Sequence, residues 1–186
     1  VTKTFTAVLI MQLIENNKLS LDTKLNQFYP DIPNSAQINL KHLLSHRSGI
    51  FNYTNDPDYT SFMTTPQTKE QLLSRIQGYR PEFSPGSKHK YSNSNYVLLG
   101  FIIESLYDKP LKEIITKKIT QPLNLNSTYY GNSIEIEENE ASSYRHNGHW
   151  IKQPETHMSV PHGAGAIVST AKDINQFFTA LFGGRL

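Results

Sequence analysis

Val1-Thr2-Lys3-Thr4-Phe5-Thr6-Ala7-Val8-Leu9-Ile10-Met11-Gln12-Leu13-Ile14-Glu15 is the stretch that decides the fold. Residues 7 to 14 are apolar except Gln12. Phe5, Val8, Leu9, Gln12 and Leu13 trace one helical face, and Ala7, Ile10, Met11 and Ile14 trace most of another. A helix apolar nearly all round belongs inside a domain, with neighbours on several sides. Its opening is polar: Thr2, Lys3, Thr4 and Thr6. A lysine in the first turn faces the positive end of the helix dipole, and burial penalises its charge further. Either the end frays and Lys3 is solvated, or a lysine is kept there for chemistry, where desolvation suits a base.

The surrounding chain suits one domain, with at most an added lobe. It has 186 residues, and its nine Phe and ten Tyr can help fill a sizeable core. The net charge is only +2 and the basic residues are scattered, which argues against nucleic acid or an anionic membrane surface as partner. No apolar run reaches the roughly 18 residues of a membrane span. The absence of cysteine excludes disulfides and thiolate metal sites. The chain opens inside a helical pattern, without initiator Met or capping residue, so a further N-terminal part is expected ahead of Val1.

Beyond the first helix, Leu25, Phe28 and Tyr29 form a short helical patch that Pro30 and Pro33 end. Asn39 reads as the cap of a helix over 40–46, with Gly49 as its left-handed terminator. Residues 50–66 form a long connection carrying Phe51, Tyr53, Tyr59 and Phe62, which line a cleft or cover the core. Thr68 and Gln71 make a capping box for the next helix. Pro81 to Gly86 is a turn and Lys88 to Asn93 is extended. Residues 96–107 form a second strongly apolar helix, and Leu111, Ile114, Ile115 and Ile119 mark another. Ile134-Glu135-Ile136-Glu137 alternates like a strand, and Asn147-Gly148 signals a hairpin. Ser169 or Thr170 caps a last helix over 171–182, with Ile174, Phe177, Phe178 and Leu181 inward. Helices with short irregular strands make this an α+β chain without one large sheet.

Several residue groups carry candidate chemistry. Tyr91 of Tyr91-Ser92-Asn93 can shuttle a proton beside a cation, and the Asn93 amide can bridge a lysine and a substrate or simply cap the next helix. His42 and His46 stand at metal-ligand spacing, but no acidic residue accompanies them and zinc is not expected. Glu135, Glu137, Glu138 and Glu140 read as a solvated acidic edge, and Lys88, His89 and Lys90 as a solvated turn able to attract a carboxylate.

The motifs taken together are more specific. Thr2-Lys3-Thr4-Phe5-Thr6-Ala7 is followed by His42-Leu43-Leu44-Ser45-His46-Arg47-Ser48-Gly49-Ile50. Phe83-Ser84-Pro85-Gly86 then runs into Tyr91-Ser92-Asn93, with Asn95-Tyr96 and Leu99-Gly100 beyond. The stretch from Gly163 to Asp173 completes the series. This order, over essentially the whole chain, resembles the serine β-lactamase and penicillin-binding protein superfamily. The similar branch is the class C β-lactamases with their D-alanyl-D-alanine carboxypeptidase and esterase relatives.

The resemblance implies a β-lactamase/transpeptidase-like fold, with residues 1–186 a partial domain supplying mainly its helical half. It implies a Ser-x-x-Lys motif, its lysine at Lys3 and its serine immediately before Val1, on one helix face. Tyr91 and Asn93 match the family's Tyr-x-Asn motif, so Lys3 and Tyr91 would move protons and Asn93 would position substrate. The third motif, which supplies an oxyanion-hole amide, would lie beyond Leu186; His162-Gly163 is not that motif. The implied activity is hydrolysis through an acyl-enzyme of a D-Ala-D-Ala peptide, a β-lactam or a small ester or amide. No cofactor is expected, and the small-molecule or peptide substrate is the expected partner. The implied location is extracytoplasmic, any membrane anchor lying outside this chain and oligomerisation left open. Residues 1–186 alone are expected to be inactive, and Ser92 is the alternative nucleophile. The other reading is a non-catalytic member that binds a peptide or partner protein.

Overall fold

The computed structural model describes residues 1–138 and 140–186; Asn139 and the Glu138 side chain lie outside the described residues. Helix α1 spans Thr2–Glu15. Phe5, Leu9 and Ile10 are fully enclosed, whereas Met11 is 41% exposed, so the second apolar face is only half covered. Phe5 stacks flat on Phe177 at 4.0 Å between ring centres. Phe177 belongs to the last helix, α7 (Ala171–Phe182), which Thr170 caps by accepting from the Asp173 amide. Aromatic stacking adds about 1 kcal/mol to the area these two rings bury.

Between these helices the chain makes short elements closed by local side chains. Asn39 caps α2 (Leu40–Leu44) in a reciprocal box with His42. The helix ends earlier than the sequence suggests. His46 takes the left-handed conformation at φ 56°, and Gly49 (φ 77°) instead passes close to the Phe83 backbone. The His42–His46 pair therefore does not share one helix face. In residues 50–66, a 3-10 turn at Tyr53–Asn55 and α3 (Tyr59–Phe62) send Tyr53 and Phe62 into the core. Thr68 and Gln71 form the expected capping box on α4 (Lys69–Gly78).

Helix α5 (Asn93–Tyr107) is the central element, buried from Ser94 through Ile103. It starts three residues before its apolar run because a distant loop caps it. Asn52 Oδ1 accepts the Asn93 amide at 2.9 Å, and Ser94 Oγ donates to the Phe51 carbonyl at 2.6 Å. Helix α6 (Leu111–Ile115) continues through a π-type turn at Thr116–Thr120.

Strands are few and short among the described residues. β1 (Tyr129–Tyr130) pairs antiparallel with β4 (Ile167–Val168), and β2 (Tyr144–His146) with β3 (Trp150–Lys152). The β2–β3 hairpin turns through Asn147, Gly148 (φ 75°) and His149, close to the expected place. Ile134–Glu137 is not a strand: Ile136–Glu138 is a 3-10 turn, and Glu140 accepts the Glu135 amide and the Tyr129 hydroxyl. Of the acidic run, Glu135 and Glu137 are exposed as read.

One close approach sets the position of the site. The turn His162–Ala164 lies directly on α5, with Gly163 and Gly100 facing each other. A Cβ on Gly163 would sit 2.6 Å from the Tyr96 carbonyl oxygen and 3.1 Å from Gly100 Cα. Two glycines in register allow that contact.

Candidate active site

Three segments far apart in sequence converge at the first turn of α1. Lys3 does not fray into solvent. Its Nζ donates to Asn93 Oδ1 at 2.8 Å and to the Ala164 carbonyl at 2.7 Å. It also lies 4.9 Å from the Tyr91 ring centre and 5.6 Å from that of Tyr96, within cation–π range. Among the described residues no carboxylate pairs with it. Neutral carbonyls and ring faces hold the ammonium.

The Tyr91 hydroxyl donates to the same Asn93 Oδ1 at 3.1 Å. Lys3 and Tyr91 thus meet at one acceptor atom. Tyr91 is 51% exposed, while Lys3 and Asn93 are partly covered. Asn93 is the first residue of α5 and not its side-chain cap, which frees the amide to face Lys3. Its Nδ2 donates to Thr54 Oγ1 at 3.2 Å, which holds Oδ1 toward the lysine and the phenol.

The segment that carries this carbonyl is itself held. Thr6 Oγ1 donates to the Gly163 carbonyl at 2.7 Å, and Thr2 Oγ1 accepts the Ile167 amide at 3.2 Å. Thr2, Lys3 and Thr6 therefore present one polar edge of α1 to residues 163–167. Sequence reasoning noted these threonines only as a polar opening; their i, i+4 spacing on a buried helix was the available signal. Thr54 and the Ala164 carbonyl were missed. The first is a polar residue in an aromatic loop, and a backbone carbonyl has no sequence signature.

Ser92, the alternative nucleophile, is enclosed. It is 1% exposed and its hydroxyl donates to the Phe51 carbonyl at 3.3 Å. Beside Tyr91, the His46 ring lies 4.6 Å away centre to centre. Burial, then Lys3 and His89, hold its pKa below the ordinary histidine value. Lys90 pairs with Glu82 at 2.5 Å, which leaves Lys88 and His89 as the solvated part of that turn. A separate cavity of about 560 Å³, bounded by Glu104, Tyr130, Met158 and His162, is lined by none of Lys3, Tyr91 and Asn93.

Comparison with known proteins bears on the family and the fold. The sequence matches the family described as Beta-lactamase over residues 1–186. The structure superposes on a D-stereospecific amidohydrolase from Streptomyces sp. with a TM-score of 0.90 and 29% identity, covering 100% of this chain and 60% of that one. It superposes on a D-amino acid amidase from Ochrobactrum anthropi SV3 with a TM-score of 0.86 and 32% identity, covering 99% of this chain and 54% of that one. A teichoic acid D-alanine hydrolase from Staphylococcus aureus is 26% identical over 178 residues, 95% of this chain and 43% of the relative. The chain thus spans less than half the length of that curated relative, and its fold is the β-lactamase/transpeptidase-like one, represented in part.

Proposed function

The chain belongs to the Beta-lactamase family, whose members similar to it are hydrolases, and from that premise we propose that the longer protein is a serine hydrolase acting through an acyl-enzyme on D-aminoacyl amides or esters. The observation that carries this reading is the meeting of Lys3 and Tyr91 at Asn93 Oδ1. Covalent catalysis needs a nucleophile beside a proton acceptor, and these two groups form a proton-transfer pair at the start of α1. The nucleophile we assign is a serine hydroxyl immediately ahead of Val1, one helical turn from Lys3. As its oxygen bonds to the substrate carbonyl carbon, its proton passes to the pair. The pair returns a proton to the leaving amine or alcohol as the scissile bond breaks. Water then attacks the serine ester through the same pair, releasing the acid and restoring the hydroxyl. Asn93 holds the two proton carriers together and positions the acyl group. The D-configured substrate class is supported by the names of the three relatives, each of which acts on a D-stereospecific, D-amino acid or D-alanine substrate. We assign an extracytoplasmic location and no cofactor.

The test is intact-mass spectrometry of the longer protein after incubation with an activated D-alanyl ester and, separately, a reactive β-lactam. The expected result is a single acyl adduct on the residue preceding Val1. A protein that has serine there, and takes up no acyl group from either reagent, supports instead a non-catalytic member that binds a peptide or partner.

A further inference from the structure

Tyr91 is half exposed, yet its hydroxyl must stay on Asn93 Oδ1 for the pair to work. The backbone on either side of it is pinned by one residue. The His46 carbonyl accepts the Lys90 amide at 2.9 Å, and His46 Nδ1 accepts the Ser92 amide at 3.3 Å. The imidazole lies between these anchors and packs on the Tyr91 ring.

The direction of these bonds is fixed from beneath. Ser48 Oγ accepts the Ile50 amide at 3.1 Å, so its single proton goes to Asn95 Oδ1 at 2.6 Å. Asn95 is wholly buried and Ser48 is 1% exposed. With Oδ1 committed, Asn95 Nδ2 turns its hydrogens toward His46 Nδ1 at 3.3 Å. Nδ1 therefore receives two donors and has to be a bare acceptor, with the ring proton on Nε2. A proton on Nδ1 would face two N–H groups. His46 holds this place at φ 56°, a conformation uncommon for a residue with a side chain.

We propose that His46 is a positioning residue, which as a neutral imidazole holds the Tyr91–Asn93 segment against Lys3 and releases it on protonation. The proposal rests on the hydrolase reading above. The groups that face the ring are Lys3 from α1, His89 and Tyr91 from the extended segment, and Tyr96 from α5. None is a carboxylate, so a charged imidazole gains no counter-ion and meets the Lys3 ammonium. Burial, then Lys3 and His89, depress its pKa, so the neutral form persists to below the ordinary histidine value of about 6.5 and the segment loosens only as pH falls through that lowered value.

The experiment uses the longer protein and two variants, with kcat and KM for a D-alanyl ester followed against pH. His46→Ala removes the acceptor and the ring, and kcat is expected to fall by about 10²-fold with KM little changed, the scale of a misplaced catalytic group. His46→Asn keeps an acceptor and tolerates the left-handed backbone; it is expected to recover most of that loss and to flatten the acid limb. Long-range nitrogen NMR of the wild type is expected to show Nδ1 unprotonated and Nε2 protonated at pH 7.5. A wild type with the proton on Nδ1, or a His46→Ala protein with unchanged kcat and acid limb, overturns the proposal. So does a folded His46→Asn protein as slow as His46→Ala. A wild type that never acylates overturns the hydrolase reading, and the tautomer then decides the positioning by itself.

Discussion

A methyl group placed on Gly163 tests the link between packing and the site. In Gly163→Ala the new Cβ would meet the Tyr96 carbonyl oxygen at 2.6 Å, where ordinary contact begins at 3.4 Å. Both Tyr96 and Gly100 are backbone of the most buried helix, so neither yields. The turn carrying Ala164 has to retreat by roughly 0.8 Å, the shortfall between those two separations. That retreat stretches the Lys3–Ala164 and Thr6–Gly163 hydrogen bonds, both 2.7 Å, to the edge of useful geometry. Overpacking of this kind costs about 1–3 kcal/mol. In a domain of this size that lowers Tm by about 2–12 °C. Acylation by a D-alanyl ester should fall further than the stability loss explains, because Lys3 loses one of its two fixed acceptors. Differential scanning calorimetry and stopped-flow acylation on the longer protein measure the two effects. Gly78→Ala is the control: nothing lies within 4 Å of its Cβ, so it should raise stability by up to about 1 kcal/mol. If Gly163→Ala matched the wild type in both Tm and acylation, the close approach would not position Lys3.

Three further outcomes follow from the same structure. Lys3→Ala should slow acylation by about 10²–10⁴-fold, the usual worth of a general acid–base group, with a Tm change of no more than a few degrees by calorimetry. Tyr53→Phe deletes a buried hydroxyl that donates to the Val160 carbonyl at 2.6 Å, and urea denaturation should show a loss of about 1–3 kcal/mol. Burial raises the Glu104 carboxyl, but hydrogen bonds from His162 and the Leu111 amide, with the charge of Lys69, outweigh it and bring its pKa below the ordinary value. Its stabilisation is therefore complete above about pH 4.3 and lost as pH falls through the lower folded value, so Glu104→Gln should flatten the urea midpoint against pH on that acid side.

What was legible in the sequence was local. The Asn39 cap, and the box of Thr68 with Gln71, close within four residues, so chemistry and spacing sufficed, although the return bond to His42 was not read. The apolar runs of α1 and α5 declared burial for the same reason, since each carries its own periodicity. Errors arose where a distant group took a local partner. Ile134–Glu137 alternates as a strand does, but the Glu155 and Glu140 carboxylates take the Ile134 and Glu135 amides that a ladder would need. Gly49 looked like a helix terminator because its real neighbour, the Phe83 carbonyl, is more than thirty positions away.

The candidate site sits between these cases. Motif order brought Lys3, Tyr91 and Asn93 to notice, yet nothing in the order shows that Lys3 can be held without a counter-ion. That depends on a backbone carbonyl at Ala164, which a side-chain alphabet does not write, and on Gly163 and Gly100 allowing that carbonyl close enough. The polar residues inside apolar helices were the readable trace. Thr2, Thr6, Ser94 and Asn95 are all buried, and each would cost about 1–3 kcal/mol if left unpaired. A buried polar side chain implies a fixed partner, and here the partners are residues 163–167 for Thr2 and Thr6 and residues 46–53 for Ser94 and Asn95. The polar interruptions of α1 and α5 thus fix how the two helices face each other at the candidate site, whereas their apolar residues only keep them inside.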